Sequence, residues 1–281
     1  MAEQFTRIDA LDGLATKLQE LVRKAVPDGT LRKELLTGTW IGHPLHPILT
    51  DVVIGAWTSA MFLDLIPSQK SREAADTLIG IGILSALPTA AAGLTDWSDF
   101  EGPPKRVGAF HAAGNVAGLS VYALAWVARK RGHRGLGWAL SMTGNAIATG
   151  SAYLGGYLVY GTGAGVDHTA FEGGSTRWTP VMALDDLSEG KVTGGNAKGV
   201  DIILYRTGST IHALSARCTH RGCTLKSGEV HDTSITCRCH GSTFRLEDGE
   251  VVRGPAHAPA PAYEVRVAEG RVEVRRAKKG S

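Results

Sequence analysis

Four long apolar stretches follow one another in the first part of the chain, at about residues 48–66, 78–94, 107–127 and 136–160. Each approaches the roughly 20 residues that a helix needs to cross the hydrocarbon of a bilayer. The third and fourth contain no Asp, Glu, Lys or Arg, and the first two keep Asp51, Asp64, Asp76 and Asp96 near their ends. The competing reading is a soluble bundle with an unusually apolar core, and four successive stretches of this length argue against it. The pattern predicts a four-helix transmembrane bundle over residues 41–161. Small residues recur at helical spacing within it: Gly114 and Gly118, Gly144 and Ala148, Ala86 and Ala90. Such faces let helix backbones approach closely in lipid, and they offer a route to a homo-oligomer.

Before the bundle, Ile8, Leu11, Leu14, Leu18, Leu21, Val22 and Ala25 repeat at helical spacing with Lys17, Glu20, Arg23 and Lys24 between them. Residues 1–40 are therefore expected to form an amphipathic segment, stopped near Pro27-Asp28-Gly29, that lies on a membrane surface or packs on the bundle. It lacks the apolar core and small-residue cleavage site of a secretory signal. After the bundle, residues 162–178 are rich in Gly and Thr and read as a linker, with His168 a solvated residue in it.

From residue 179 to 281 the period changes from helical to two. Residues 199–205 and 209–214 are short β-rich runs, and 263–267 and 271–275 alternate strictly around Ala268-Glu269-Gly270, so both pairs predict hairpins in an all-β domain. The basic tail from Arg276 is expected to fray. Mean hydropathy is near zero because a membrane half and a soluble half average out.

All four cysteines lie in two short segments, Cys218-Thr219-His220-Arg221-Gly222-Cys223 and Cys237-Arg238-Cys239-His240-Gly241-Ser242. Each supplies a cysteine and a histidine, with sixteen residues between His220 and Cys237. Two thiolates and two imidazoles suit a 2Fe–2S centre in which histidines replace cysteines on one iron. They also suit a structural zinc, but zinc sites usually present a cysteine pair and then a histidine pair, whereas here each segment mixes the two.

Residues 180 to 277 resemble the Rieske family. The resemblance implies one 2Fe–2S cluster, with Cys218 and Cys237 on the inner iron and His220 and His240 on an outer iron whose imidazole edges face solvent. It implies a disulfide between Cys223 and Cys239, and a third loop, with Gly254 and Pro255, over the cluster. Ser242 matches a hydrogen-bond donor to the cluster. Phe244 stands where family members of highest potential have Tyr, so one donor is lost and the potential is expected below the family's upper end. Residues 38 to 165, with Gly42-His43-Pro44-Leu45-His46-Pro47 and Leu154-Gly155-Gly156-Tyr157, resemble a family of bacterial membrane proteins without an assigned activity.

His43, His46 and His111 are the ionisable groups to weigh in the bundle. They could ligate a haem b or touch a quinone. Their places near span ends favour interfacial residues, bonded to Asp51 or to backbone freed by Pro44 and Pro47, over haem. The expected function is a membrane-anchored electron-transfer protein that passes single electrons between protein or quinone partners. The alternatives are a quinol-oxidising or oxygenase-associated oxidoreductase component, or a cluster serving as sensor or staple. Only about forty residues follow His240, too few for the mononuclear iron domain of an oxygenase. A net charge of +3 and the absence of a phosphate-binding Gly loop or nucleic-acid motif give no reason to expect nucleic acid. A multi-pass protein of the cell membrane is expected. Basic residues divide nearly evenly between the two sides. The missing export signal puts the cluster on the cytoplasmic side, and the Cys223/Cys239 pair argues the reverse.

Overall fold

A computed structural model describes residues 2–10 and 12–277 of the chain; Leu11 of the amphipathic pattern and the end of the basic tail, 278–281, lie outside the described residues. Two compact units emerge, one of residues 1–26 and 44–164, the other of residues 27–43 and 165–281. The first forty residues are thus shared between the units instead of forming a segment of their own.

The first unit is helical. After a 3-10 turn come α1 (Asp12–Ala25), α3 (Leu45–Asp64), α4 (Gln69–Trp97), α5 (Gly102–Lys130) and α6 (Arg134–Thr162); with α2 (Leu31–Thr37) of the second unit, the described residues hold six α-helices. Turns of three or four residues join α3 to α6 in succession, so neighbours run antiparallel. Of the four long helices, α4 and α5 are long and apolar enough to cross a membrane, and only 28% and 22% of their most apolar windows is buried inside the chain. That exposure separates them from the core helices of a soluble protein, whose apolar face is covered.

Small residues are used within the chain. A Cβ added at Gly114 would stand 3.1 Å from Ser151, and one at Gly118 3.6 Å from the Gly144 carbonyl, so α5 and α6 meet through these positions. The small-residue faces of α5 and α6 are therefore used between these two helices, while Ala90 of α4 is exposed. At one end of the bundle Arg129 bonds Asp64 and Asp76 at 2.5 and 3.3 Å, and Arg134 reaches Asp76 at 2.9 Å. Charges that end α3, start α4, end α5 and start α6 must meet at one end of an antiparallel bundle, where they neutralise one another. At the other end Gln19 of α1 donates to the carbonyls of Trp97 and Phe100, at and just past the C-terminal end of α4, at 2.8 and 2.9 Å. Ala15 and Gln19 face inward, while Leu14, Leu18 and Leu21 are exposed.

The second unit is β-rich. Six strands order as β1 (Thr179–Ala183), β10 (Arg271–Arg276), β9 (Ala262–Ala268), β4 (Thr210–Ser215), β3 (Val200–Thr207) and β2 (Thr193–Ala197), with every neighbouring pair antiparallel. The two expected hairpins are β3–β4 and β9–β10; Glu269 and Gly270, at φ 51° and 73°, make the tight turn of the second. A smaller sheet holds β5 (Glu229–His231), β6 (Ser234–Thr236), β7 (Thr243–Arg245) and β8 (Val251–Arg253) in order. Residues 165–178 pack on this unit. The His168 N–H donates to the Thr219 carbonyl at 3.0 Å, and Glu172 accepts from Ser215 at 3.0 Å. These bonds hold part of the stretch expected as a linker, including His168, against the β-rich unit.

Candidate metal centre

Two loops of one design present the cysteines and histidines. The first, residues 218–223, follows β4, and the second, 237–242, joins β6 to β7. In the first, Cys218 N–H donates to Cys223 O and Gly222 N–H to Cys218 O, both at 2.8 Å. In the second, Cys237 N–H donates to Ser242 O at 2.8 Å and Gly241 N–H to Cys237 O at 3.0 Å. Gly222 and Gly241 take φ of +71° and +80°, the left-handed region that only glycine enters without cost. Each loop therefore turns its second half back over its own cysteine.

The turn gathers the functional side chains. Cys218 and Cys237 are buried, unoxidised thiols within hydrogen-bond reach of each other. The Cys218 sulfur receives the backbone N–H groups of His220 and Arg221, and the Cys237 sulfur those of Cys239 and His240. The shared hydrogen bond and burial push Cys218 up, while the same bond and the loop amides hold Cys237 down. The rings of His220 and His240 stand 5.0 Å apart, edge to face. Burial, then His240, lowers the pKa of His220, so its imidazole is neutral and has a lone pair to give. Cys223 and Cys239 are bonded to each other and tie the loops together. The sulfurs of Cys223, Cys237 and Cys239 lie within 4.8 Å of one another. Two of these are consumed by the disulfide, so that trio cannot serve as a ligand set.

Ser242 and Phe244 are fully buried, and Phe244 packs in one apolar cluster with Cys218 and Cys237. Ser242 Oγ accepts from the Ala256 N–H at 3.0 Å, which leaves its own proton to donate. The third loop, from Gly254, is buried at Gly254, Pro255 and Ala256. It is tied to the first loop by Thr219 Oγ1, which donates to Ala258 O at 2.8 Å.

Nothing in the residue pattern of 27–43 signals that they belong here. His257 Nε2 donates to the Thr37 carbonyl at 2.8 Å, Arg253 pairs with Glu34 at 3.5 Å, and the Thr39 side chain fills the space beside Gly254. Asp28, the ion-pair partner of buried Lys33, lies against Gly241. His220 and His240 are half-buried, not fully open to solvent, among these neighbours. His168 also packs against Gly222 of the first loop. Of the bundle histidines, His46 and His111 meet in the helical unit with rings 6.3 Å apart, whereas His43 belongs to the β-rich unit.

Two buried thiols, two neutral-capable imidazoles and four amides aimed at sulfur fit a cluster with mixed sulfur and nitrogen ligation. Comparison with known proteins agrees. Residues 177–264 match the Rieske 2Fe–2S domain, and residues 42–168 match a predicted membrane protein family (DUF2231). The chain is 32% identical over 103 residues to the ferredoxin CarAc of Metapseudomonas resinovorans, covering 96% of it and 36% of this chain. It is 36% identical over 73 residues to the cytochrome b6-f complex iron-sulfur subunit of Chlorobaculum tepidum; the match takes in 26% of this chain and about two-fifths of that protein, 39%. A solved ferredoxin of carbazole 1,9a-dioxygenase from Nocardioides aromaticivorans is 28% identical, with a TM-score of 0.34 over 35% of this chain and 96% of that one. With its Rieske domain fused to a membrane-protein domain, the chain belongs to the Rieske 2Fe–2S family.

Proposed function

We propose that this protein is a membrane-anchored one-electron carrier whose 2Fe–2S cluster is held by Cys218 and Cys237 on one iron and by His220 and His240 on the other. The observation that carries this reading is the pair of equivalent loops, each delivering one buried thiol and one imidazole to the same place. When bound, the cluster supplies a centre that accepts and releases single electrons. The amides on both sulfurs and the Ser242 hydroxyl then offset negative charge, which favours the reduced state. Carriers named as ferredoxin components of oxygenase systems are matched nearly end to end, and this supports relay of electrons over substrate chemistry.

The four long helices act as the anchor, all four crossing the bilayer, with the β-rich unit on the cytoplasmic side. Protein or quinone partners exchange electrons with the cluster. Iron and sulfide analysis of the full-length protein, with EPR after reduction, tests the assignment. Equal iron and sulfide with an average g below the free-electron value is expected. Stoichiometric zinc in their place would overturn it.

A further inference from the structure

A cavity of about 180 Å³ lies among α3, α4, α5 and α6, with all of its lining residues in the helical unit. We infer that it binds the head group of a lipid-soluble quinone, with His46 Nε2 and the Asn115 amide as its polar partners. From the proposed function this takes only that the chain moves electrons; the binding stands on the cavity itself.

The two histidines enter it in parallel ways. His46 Nδ1 donates to the Thr89 carbonyl at 2.9 Å, and a Cβ at Gly93, one turn on, would lie 2.7 Å from the ring. His111 Nδ1 donates to the Ser151 carbonyl at 2.8 Å, and a Cβ at Gly155, one turn on, would lie 3.0 Å from that ring. Each hairpin, α3–α4 and α5–α6, thus pins an imidazole to a neighbouring carbonyl beside a glycine that makes room for it. In the neutral ring, donation through Nδ1 leaves Nε2 as an acceptor. His111 Nε2 already accepts from Asn115 Nδ2 at 3.0 Å. His46 Nε2 remains available to whatever enters the cavity.

Size and company select the ligand class. An apolar protein cavity of roughly 150 Å³ holds one benzene ring, so this one holds a single substituted ring and not a tetrapyrrole. Trp57 and Trp97 supply flat walls, and the rest of the lining is mainly small and aliphatic. The lining residues Ile54 and Val116 are 45% and 64% exposed on the outer faces of α3 and α5, so a long apolar tail leaves sideways into lipid. A ring with oxygens, carried on such a tail, is a quinone. Its hydroxyl form donates to His46 Nε2, and its carbonyl form accepts the second Asn115 N–H.

The test uses full-length protein in lipid nanodiscs, titrated with decylubiquinone and, separately, with a short-chain menaquinone analogue, followed by quenching of tryptophan fluorescence. Saturable binding of either probe is expected. It should weaken at least tenfold in Ala112→Phe, which fills the cavity, and in His46→Phe, which removes the acceptor. Ala90→Phe fills the same space from α4 should the first variant misfold, and retained helical circular dichroism with a cooperative thermal unfolding transition in detergent reports folding of the helical unit. Unchanged affinity in folded variants, or no binding of either probe, overturns the inference. So does a haem absorbance band in the purified protein that His46→Gln abolishes. Cavity-dependent binding by a chain that contains zinc instead of iron keeps the quinone site and sinks the carrier.

Discussion

Two histidine pairs in this chain look alike and differ in chemistry. His220 and His240 stand 5.0 Å apart at 85°, and His46 and His111 stand 6.3 Å apart at 87°. Each pair is delivered by two copies of one local design: cysteine loops closed by a left-handed glycine in one unit, helical hairpins with a glycine opposite the ring in the other. What separates them is their neighbours. The loop pair has two free thiols beside it and amides aimed at sulfur, the donor set that a cluster needs. The helical pair has no thiol, and one of its ring nitrogens already accepts from an amide. Ring spacing alone therefore does not identify a metal site; the donors around the rings do.

The strongest way to break this contrast is to remove a thiol. Cys218→Ser should abolish the cluster, with iron falling at least tenfold by elemental analysis, because the weakly acidic hydroxyl replaces a thiolate ligand. Normal iron in that variant would place the ligands elsewhere. The disulfide comes next. Cys223→Ala with Cys239→Ala should lower stability by about 2–4 kcal/mol, seen as a lower denaturant midpoint, since the bond closes a loop of modest length. An unchanged midpoint would make the bond irrelevant to holding the loops together.

The helical pair is probed by crowding. Gly93→Ala pushes on the His46 ring and should cost about 1–3 kcal/mol in thermal unfolding monitored in detergent, while the cluster EPR signal stays the same. A loss of that signal would mean that the two pairs are not separate. The smallest effect tunes the loop pair. Phe244→Tyr adds a donor near the sulfurs. One hydrogen bond of about 1 kcal/mol corresponds to about 40 mV for one electron, so a redox titration should read an upward shift of that order. A downward shift would show that the new hydroxyl does not reach the cluster ligands.

Much of this was legible along the chain. The ligand loops announced themselves because thiols and imidazoles are rare and their spacing is short. The hairpin β9–β10 could be read because a half-buried strand must alternate, and β3–β4 because two β-rich runs flank the short turn Arg206-Thr207-Gly208. Less legible was the role of residues 27–43. Thr37, Thr39 and Glu34 are ordinary helix and turn residues, and their partners His257, Gly254 and Arg253 lie more than two hundred positions away. Nor did the α1 pattern reveal which face packs: the small Ala15 and polar Gln19 turn inward, where Gln19 reaches two backbone carbonyls, and the leucines stay outside.

The sequence by itself determined the β-rich electron-carrying domain, the apolar helices before it and the residues able to hold a cluster, because each depends on local pattern or on rare side chains close together. Only the tertiary structure decided that His46 and His111 meet while His43 goes elsewhere, that the small residues of α5 and α6 face each other, and that a ring-sized cavity remains among the helices. Those outcomes depend on which helices become neighbours, and periodicity along one chain specifies a face without naming what it will touch.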